Sequence, residues 1–219
     1  MPETLTNLNI LGYDKNPIKN TLFSMGPSTK IALFFPGIGY TCQMPVLYYA
    51  TTVLLKKGYD VLWVEYDYMN ERFDSCSDKE KVTWLNFDAD AAYGAAISKE
   101  GKYKNVLLVG KSLGTFALLH LNKSKKINKT IWFTPLLKTA SAVKVELFND
   151  LIDVCRGGLF VIGKEDRHYD VTRIGALQNA GANFISIKRA GHNLEVEDDP
   201  YKSLEILAQL AKETEAYSD

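Results

Sequence analysis

Residues 105–120 read Asn-Val-Leu-Leu-Val-Gly-Lys-Ser-Leu-Gly-Thr-Phe-Ala-Leu-Leu-His. The first part, Val106–Val109, is short, apolar and partly β-branched, as a buried strand is. From Phe116 onward the apolar residues fall at helical spacing. Between the two, Gly110-Lys111-Ser112-Leu113-Gly114 leaves room only for a tight strand-to-helix turn. A serine at the apex of such a turn sits in a strained backbone conformation. It needs small neighbours two residues to either side, which Gly110 and Gly114 supply. The turn lifts the hydroxyl above the sheet, near a helix N-terminus, where developing negative charge is favoured.

Gly-Lys-Ser also occurs in phosphate-binding loops, but that motif needs a glycine five residues before its Gly-Lys. This chain has Asn105 there, and 105–109 are the strand itself, so no loop is left to wrap a phosphate. The competing reading at this point is a plain turn without chemistry.

Working outward, the same alternation of short apolar runs with helical patterns recurs along the chain. Residues 31–35, 61–66, 130–133, 159–162 and 184–187 are of strand length and rich in β-branched or aromatic side chains. Helical faces are formed by Val46, Ala50, Val53 and Leu54, and by Leu85, Ala89, Ala92 and Ala96. The last helix is expected to start at an Asp199 N-cap and Pro200, with Leu204, Leu207, Ala208 and Ala211 on one stripe. Runs that are apolar throughout predict strands buried on both faces. The strand–helix–strand order then predicts an α/β fold, a mostly parallel central sheet with helices on both faces. Residues 4–13 and 20–25 are expected to add two short strands, joined by a turn around Asp14–Pro17, as an antiparallel N-terminal edge.

The 219 residues suffice for one substantial core, and residues 1–219 are read as a single domain. Lys+Arg and Asp+Glu balance at 26 each, and the five arginines are scattered, which disfavours nucleic acid and an anionic membrane surface as partners. The longest apolar runs fall far below the roughly 18 residues a membrane helix needs. The first residues have neither a basic nor an apolar region, and the three cysteines lack metal-site spacing. The expectation is a cytoplasmic protein with reduced thiols.

A serine hydroxyl needs a base, and the base in turn an orienting group. Of three histidines, His120 lies about two turns into the helix after Ser112 and is expected to be packed or at the surface. His168 sits in a polar loop and stays open as an alternative. His192, in Ala190-Gly191-His192-Asn193, follows the last expected strand. Loops after parallel strands converge on one sheet edge, the edge that carries the Ser112 turn, so His192 is the preferred base. The orienting acid should come from that edge as well. Asp166 at the tip of Gly163-Lys164-Glu165-Asp166 is the candidate, with Glu165 and Asp170 as neighbours.

The order Ser112, Asp166, His192, each on a loop after a strand, resembles the α/β-hydrolase family over nearly the full chain. The likeness rests on the Gly110–Gly114 elbow, Gly163–Asp166 and Ala190–His192. It implies a cap-less serine hydrolase that cleaves a small ester or thioester through an acyl-enzyme, with no metal and no organic cofactor. It also implies oxyanion donors at the N–H groups of Leu113 and, in Phe35-Pro36-Gly37-Ile38-Gly39-Tyr40, of Ile38. Many members have His-Gly at this loop; here Pro36 replaces the histidine, so no imidazole braces it. Only about 25 residues separate the strands ending near Phe133 and starting near Leu159, too few for a cap domain. Substrate contacts are expected from Gly37, Tyr40, Met44 and Tyr68. The aromatic loop 66–84 serves either as a binding wall or as a satellite core of its own. Lys111 is expected to point away from the site and is given no role. Peptide cleavage, acyl transfer with the same triad, and a non-catalytic binding scaffold are the alternatives; oligomeric state is not legible.

Overall fold

The structure, a computed structural model, describes residues 2–98, 102–138 and 142–219, with the side chains of 142–145 outside the described set. Eight strands form one sheet: β1 (Thr4–Thr6), β2 (Lys19–Ser24), β3 (Lys30–Phe35), β4 (Asp60–Glu65), β5 (Asn105–Lys111), β6 (Lys129–Phe133), β7 (Leu159–Gly163) and β8 (Asn183–Ile187). Their order across the sheet is β1-β2-β4-β3-β5-β6-β7-β8. The neighbours from β4 to β8 pair in parallel, while β1–β2 and β2–β4 pair antiparallel. The mostly parallel sheet with an antiparallel N-terminal edge is thus as the sequence predicts.

Strand alternation sorts the core into two layers. Ile31, Leu33, Phe35, Leu108, Trp132 and Phe160 face one side. They pack against α3 (Asp78–Ile97), α4 (Thr115–Ser124), α5 (Ala142–Val154) and α6 (Val171–Asn179). Phe34, Leu107, Val109, Ile131 and Val161 face the other side, against α1 (Pro45–Lys56) and α7 (Pro200–Ser218). A short helix, α2 (Glu71–Ser75), precedes α3. The interval between β6 and β7 holds α5. No helix among the described residues is long and apolar enough to cross a membrane.

Two expectations need correction. The first strand ends at Thr6 rather than Tyr13, because the buried Asn20 amide takes over the backbone of Leu8. Its Oδ1 accepts from Leu8 N at 2.8 Å and its Nδ2 donates to Leu8 O at 2.9 Å. Beyond that point the chain turns through Asp14 and Lys15, both at positive φ. The last helix starts at its Asp199 cap as expected, with the carboxylate accepting from Lys202 N at 2.9 Å. Its buried stripe, however, is Ile206, Leu207 and Leu210, and Leu204 is 59% exposed.

Candidate active site

The nucleophile turn is held by lack of space. β5 runs through Lys111, Ser112–Gly114 make one 3₁₀ turn, and α4 follows at once. Ser112 has φ 51°, the left-handed region that costs a side-chain-bearing residue on the order of 1–2 kcal/mol. A Cβ on Gly114 would lie 1.9 Å from the Phe35 carbonyl oxygen, and one on Gly110 would lie 2.7 Å from Leu118. Both glycines are therefore required by the turn and by its packing against the end of β3.

The loops after β7 and β8 meet above this turn. Ser112 Oγ lies 2.8 Å from His192 Nε2, and His192 Nδ1 lies 2.8 Å from Asp166 Oδ2. The Asp166 side chain is buried, and its other oxygen accepts the His168 main-chain N–H at 2.9 Å. Burial alone would raise the Asp166 carboxyl. The hydrogen bonds from His192 and from His168 N–H outweigh it and hold the group below the ordinary carboxylate range. A Cβ on Gly163 would lie 2.0 Å from the Ala190 carbonyl oxygen, so the acid-bearing and histidine-bearing loops can pack this closely only with glycine there.

The alternatives to these three residues go elsewhere. Asp170 caps α6 by accepting from Arg173 N at 3.0 Å, and Glu165 is exposed. His120 bonds Asp90 at 2.6 Å, between α4 and α3. His168 comes closer, its ring centroid 5.5 Å from that of His192, but its contact with Asp166 is through the main chain. Burial pushes its imidazole below the ordinary range.

The loop after β3 runs against the serine. A Cβ on Gly37 would stand 3.0 Å from Ser112 Cβ and 3.6 Å from Oγ, so a side chain there would push the loop and the serine apart by a few tenths of an ångström. Pro36 is buried, whereas Ile38 is exposed and Gly39 has φ 67°. Gly37, Ile38, Tyr40 and Tyr68 share a cleft of about 130 Å³ with Tyr66 and Met69. Met44 is not in that lining. It is the residue before Pro45 at the N-terminus of α1, and it is exposed. Of the four expected substrate contacts it is the one outside this cleft.

Tyr68 shows what the aromatic loop does. It is buried, stacks on Tyr66 and Phe73 at centroid separations of 4.7 and 4.6 Å, and donates its hydroxyl to Asp88 at 2.8 Å. With Trp84 and Leu85 these rings form a satellite core under the cleft. Tyr40 is also buried, its oxygen accepting Val46 N at 3.1 Å, and burial pushes its phenol up to about 12.

Lys111 departs most from expectation. It is only 1% exposed, and its side chain runs beneath the site instead of away from it. Its Nζ donates to the His192 carbonyl oxygen at 3.0 Å and to Thr134 Oγ1 at 3.3 Å, and stands 4.2 Å from the centre of the Tyr40 ring. A sequence signal for this exists: alternation along β5 puts Leu107, Val109 and then Lys111 on the α1/α7 face. Among the described residues no group of three or more His, Cys, Asp or Glu side chains is arranged to hold a metal ion.

No protein-family model matches the sequence, and no curated protein resembles it in sequence. Solved structures resemble it in fold. The esterase Pf2001 of Pyrococcus furiosus has a TM-score of 0.70 at 15% identity, covering 95% of this chain and 91% of that one. Est1E from Butyrivibrio proteoclasticus, with ferulic acid bound, has 0.70 at 12%, covering 95% and 97%. A dienelactone hydrolase from Anabaena variabilis has 0.69 at 18%, covering 96% and 95%. The chain therefore has the α/β-hydrolase fold. At these identities the likeness is one of fold, and this fold carries many different activities.

Proposed function

We propose that the protein is a serine hydrolase that cleaves a small ester or thioester through an acyl-enzyme. The observation that carries this reading is the relay from Ser112 Oγ to His192 to Asp166, two contacts of 2.8 Å each. A hydroxyl this close to an imidazole nitrogen can lose its proton to it as the oxygen attacks an acyl carbon. Asp166 fixes the tautomer by accepting from Nδ1 and stabilises the imidazolium that forms. His192 then returns the proton to the leaving alcohol or thiol. In the second half-reaction it activates the water that releases the acid and regenerates Ser112.

The tetrahedral oxyanion would be held by the main-chain N–H groups of Leu113 and Ile38, from the residue after the nucleophile and from the loop that Gly37 brings against it. The cleft of about 130 Å³ beside that loop supports a small acyl or leaving group. Gly37, Tyr40 and Tyr68 would form part of its wall, the two tyrosines only at their margins because their rings are largely buried and their hydroxyls are engaged. The chemistry needs no cofactor.

The test is labelling with a fluorophosphonate probe and hydrolysis of short-chain aryl esters. Wild type should label. Ser112→Ala and His192→Ala should each lose turnover by on the order of 10⁴-fold or more while remaining folded. Ester hydrolysis retained by Ser112→Ala would overturn the mechanism.

A further inference from the structure

We infer that Lys111 is a positioning residue of this site, clamping the histidine loop and the oxyanion loop to the nucleophile strand from below. The inference rests on the hydrolase reading above for its catalytic meaning, and on geometry for its existence. The lysine directly precedes Ser112. Its ammonium holds the main-chain carbonyl of His192, the residue whose ring faces Ser112 Oγ. The same ammonium sits over the face of Tyr40, and Tyr40 is the far end of the oxyanion loop. Tyr40 N donates to the Gly37 carbonyl at 3.3 Å, and Tyr40 Oη accepts from the first turn of α1. A third hold is Thr134, just after β6, a fully buried residue at φ 46° whose hydroxyl meets Nζ. One buried cation thus joins the ends of β3, β5 and β6 and the loop after β8.

This arrangement also accounts for Pro36. Proline at this loop supplies no side-chain hydrogen bond to hold it, and a ring–cation contact through Tyr40 takes the place of such a brace. Architecture alone does not ask for an ammonium here. Among the described residues the groups in contact with Nζ are neutral and no carboxylate lies within ion-pair distance, and an apolar chain of the same length would fill the same space without desolvating a charge.

The groups facing the ammonium are Asp166 from the loop after β7, His192 and Glu195 from the loop after β8, and Tyr40 from the loop after β3. Burial pushes Lys111 down to about 8, with Asp166 and Glu195 opposing the fall. Tyr40 stays neutral through that range. As pH rises through about 8 the charge is lost. The contact with the Tyr40 ring then weakens, and so does the charge-assisted bond to His192.

The experiment is the fluorophosphonate labelling rate of the full chain from pH 6 to 10, in wild type and Lys111→Met. It is paired with the downfield ¹H resonance of the His192 Nδ1–H proton, which needs no turnover. Wild type should lose labelling rate above about pH 8. Lys111→Met should be slower at pH 7 by about ten- to a hundredfold, the cost of a loosened site, and should lack that alkaline limb. Tyr40→Leu keeps the lysine, removes the ring, and should move the limb to lower pH; it serves as second variant should Lys111→Met not fold. A Lys111→Met protein with the wild-type rate and limb overturns the inference. If wild type does not label at all, the hydrolase reading falls instead. The clamp is then decided by the Nδ1–H resonance. It should shift near pH 8 in wild type but not in Lys111→Met, and a resonance identical in both overturns the clamp.

Discussion

The sheet buries a charged side chain at each of two opposite edges, and the two are treated differently. At the start of β4, Asp60 has no exposed surface. Oδ1 accepts from Met25 N at 2.6 Å, and Oδ2 accepts from Lys102 Nζ at 2.7 Å and from Tyr103 Oη at 2.6 Å. At the end of β5, Lys111 meets a carbonyl, a hydroxyl and an aromatic face. One charge has an opposite charge and a full set of donors; the other has only neutral partners in contact. A buried ion that is completely satisfied by a counter-charge serves the fold. One held by dipoles stays titratable, and it lies at the edge where the serine and histidine are.

The largest effect that could break this contrast is on stability. Asp60→Ala leaves the Lys102 ammonium and the Met25 N–H without their acceptor and should cost about 3–5 kcal/mol. This would be read as a lower urea midpoint at unchanged slope. The fluorophosphonate labelling rate of the folded fraction should be that of wild type, since Asp60 is at the far edge from Ser112. A labelling rate that falls with stability would mean that the two edges are coupled and that the division between them is wrong.

How far the sequence alone reaches follows the same division. The nucleophile turn is legible because its constraints are short-range. Gly110 is packed against Leu118 and the Gly114 carbonyl, and Gly114 against the end of β3, so a motif of five residues carries the geometry. Asp166 and His192 are legible because parallel strands deliver their following loops to one edge. Lys111 is harder to read, since its partners come from residues 40, 134 and 192, and only the continued alternation of β5 points its side chain at them. Asn20 ending the first strand is a long-range capture that no local period records. The misplaced stripe on the last helix has a different cause. Its small and polar residues allow neighbouring apolar stripes, and contact with α1 and the sheet selects Ile206 over Leu204.

The two edges should also differ in how pH acts on them. The folded state lowers Lys111 from 10.5 to about 8, so between those values the unfolded chain holds the proton that the folded one has released. Stability must therefore rise with pH across that window. The contribution is fully present above about 10.5 and is lost as pH falls through about 8. The integrated difference is about 3 kcal/mol. Urea titrations of wild type and Lys111→Met from pH 7 to 10.5 should diverge by this amount, with wild type gaining on the variant. Stability and labelling rate should then move in opposite directions above pH 8. That is the signature of a charge kept for the site at the expense of the fold, and parallel movement would reject it.

The smallest effect tests whether Asp60 is held as completely as its geometry implies. Tyr103→Phe removes one of the two donors to Oδ2 and leaves Lys102 in place, so the carboxylate remains paired. The loss should be about 1.5 kcal/mol, the range for one hydrogen bond to a charged group, and well below the cost of Asp60→Ala. Lys102 also contacts the tyrosine hydroxyl at 2.8 Å, so the two donors are not independent, and Lys102→Met combined with Tyr103→Phe should cost more than the sum of the single variants. Simple additivity in that double-mutant cycle would mean that the carboxylate is served by separate bonds and not by a network. The difference between the two edges would then lie in partner charge alone.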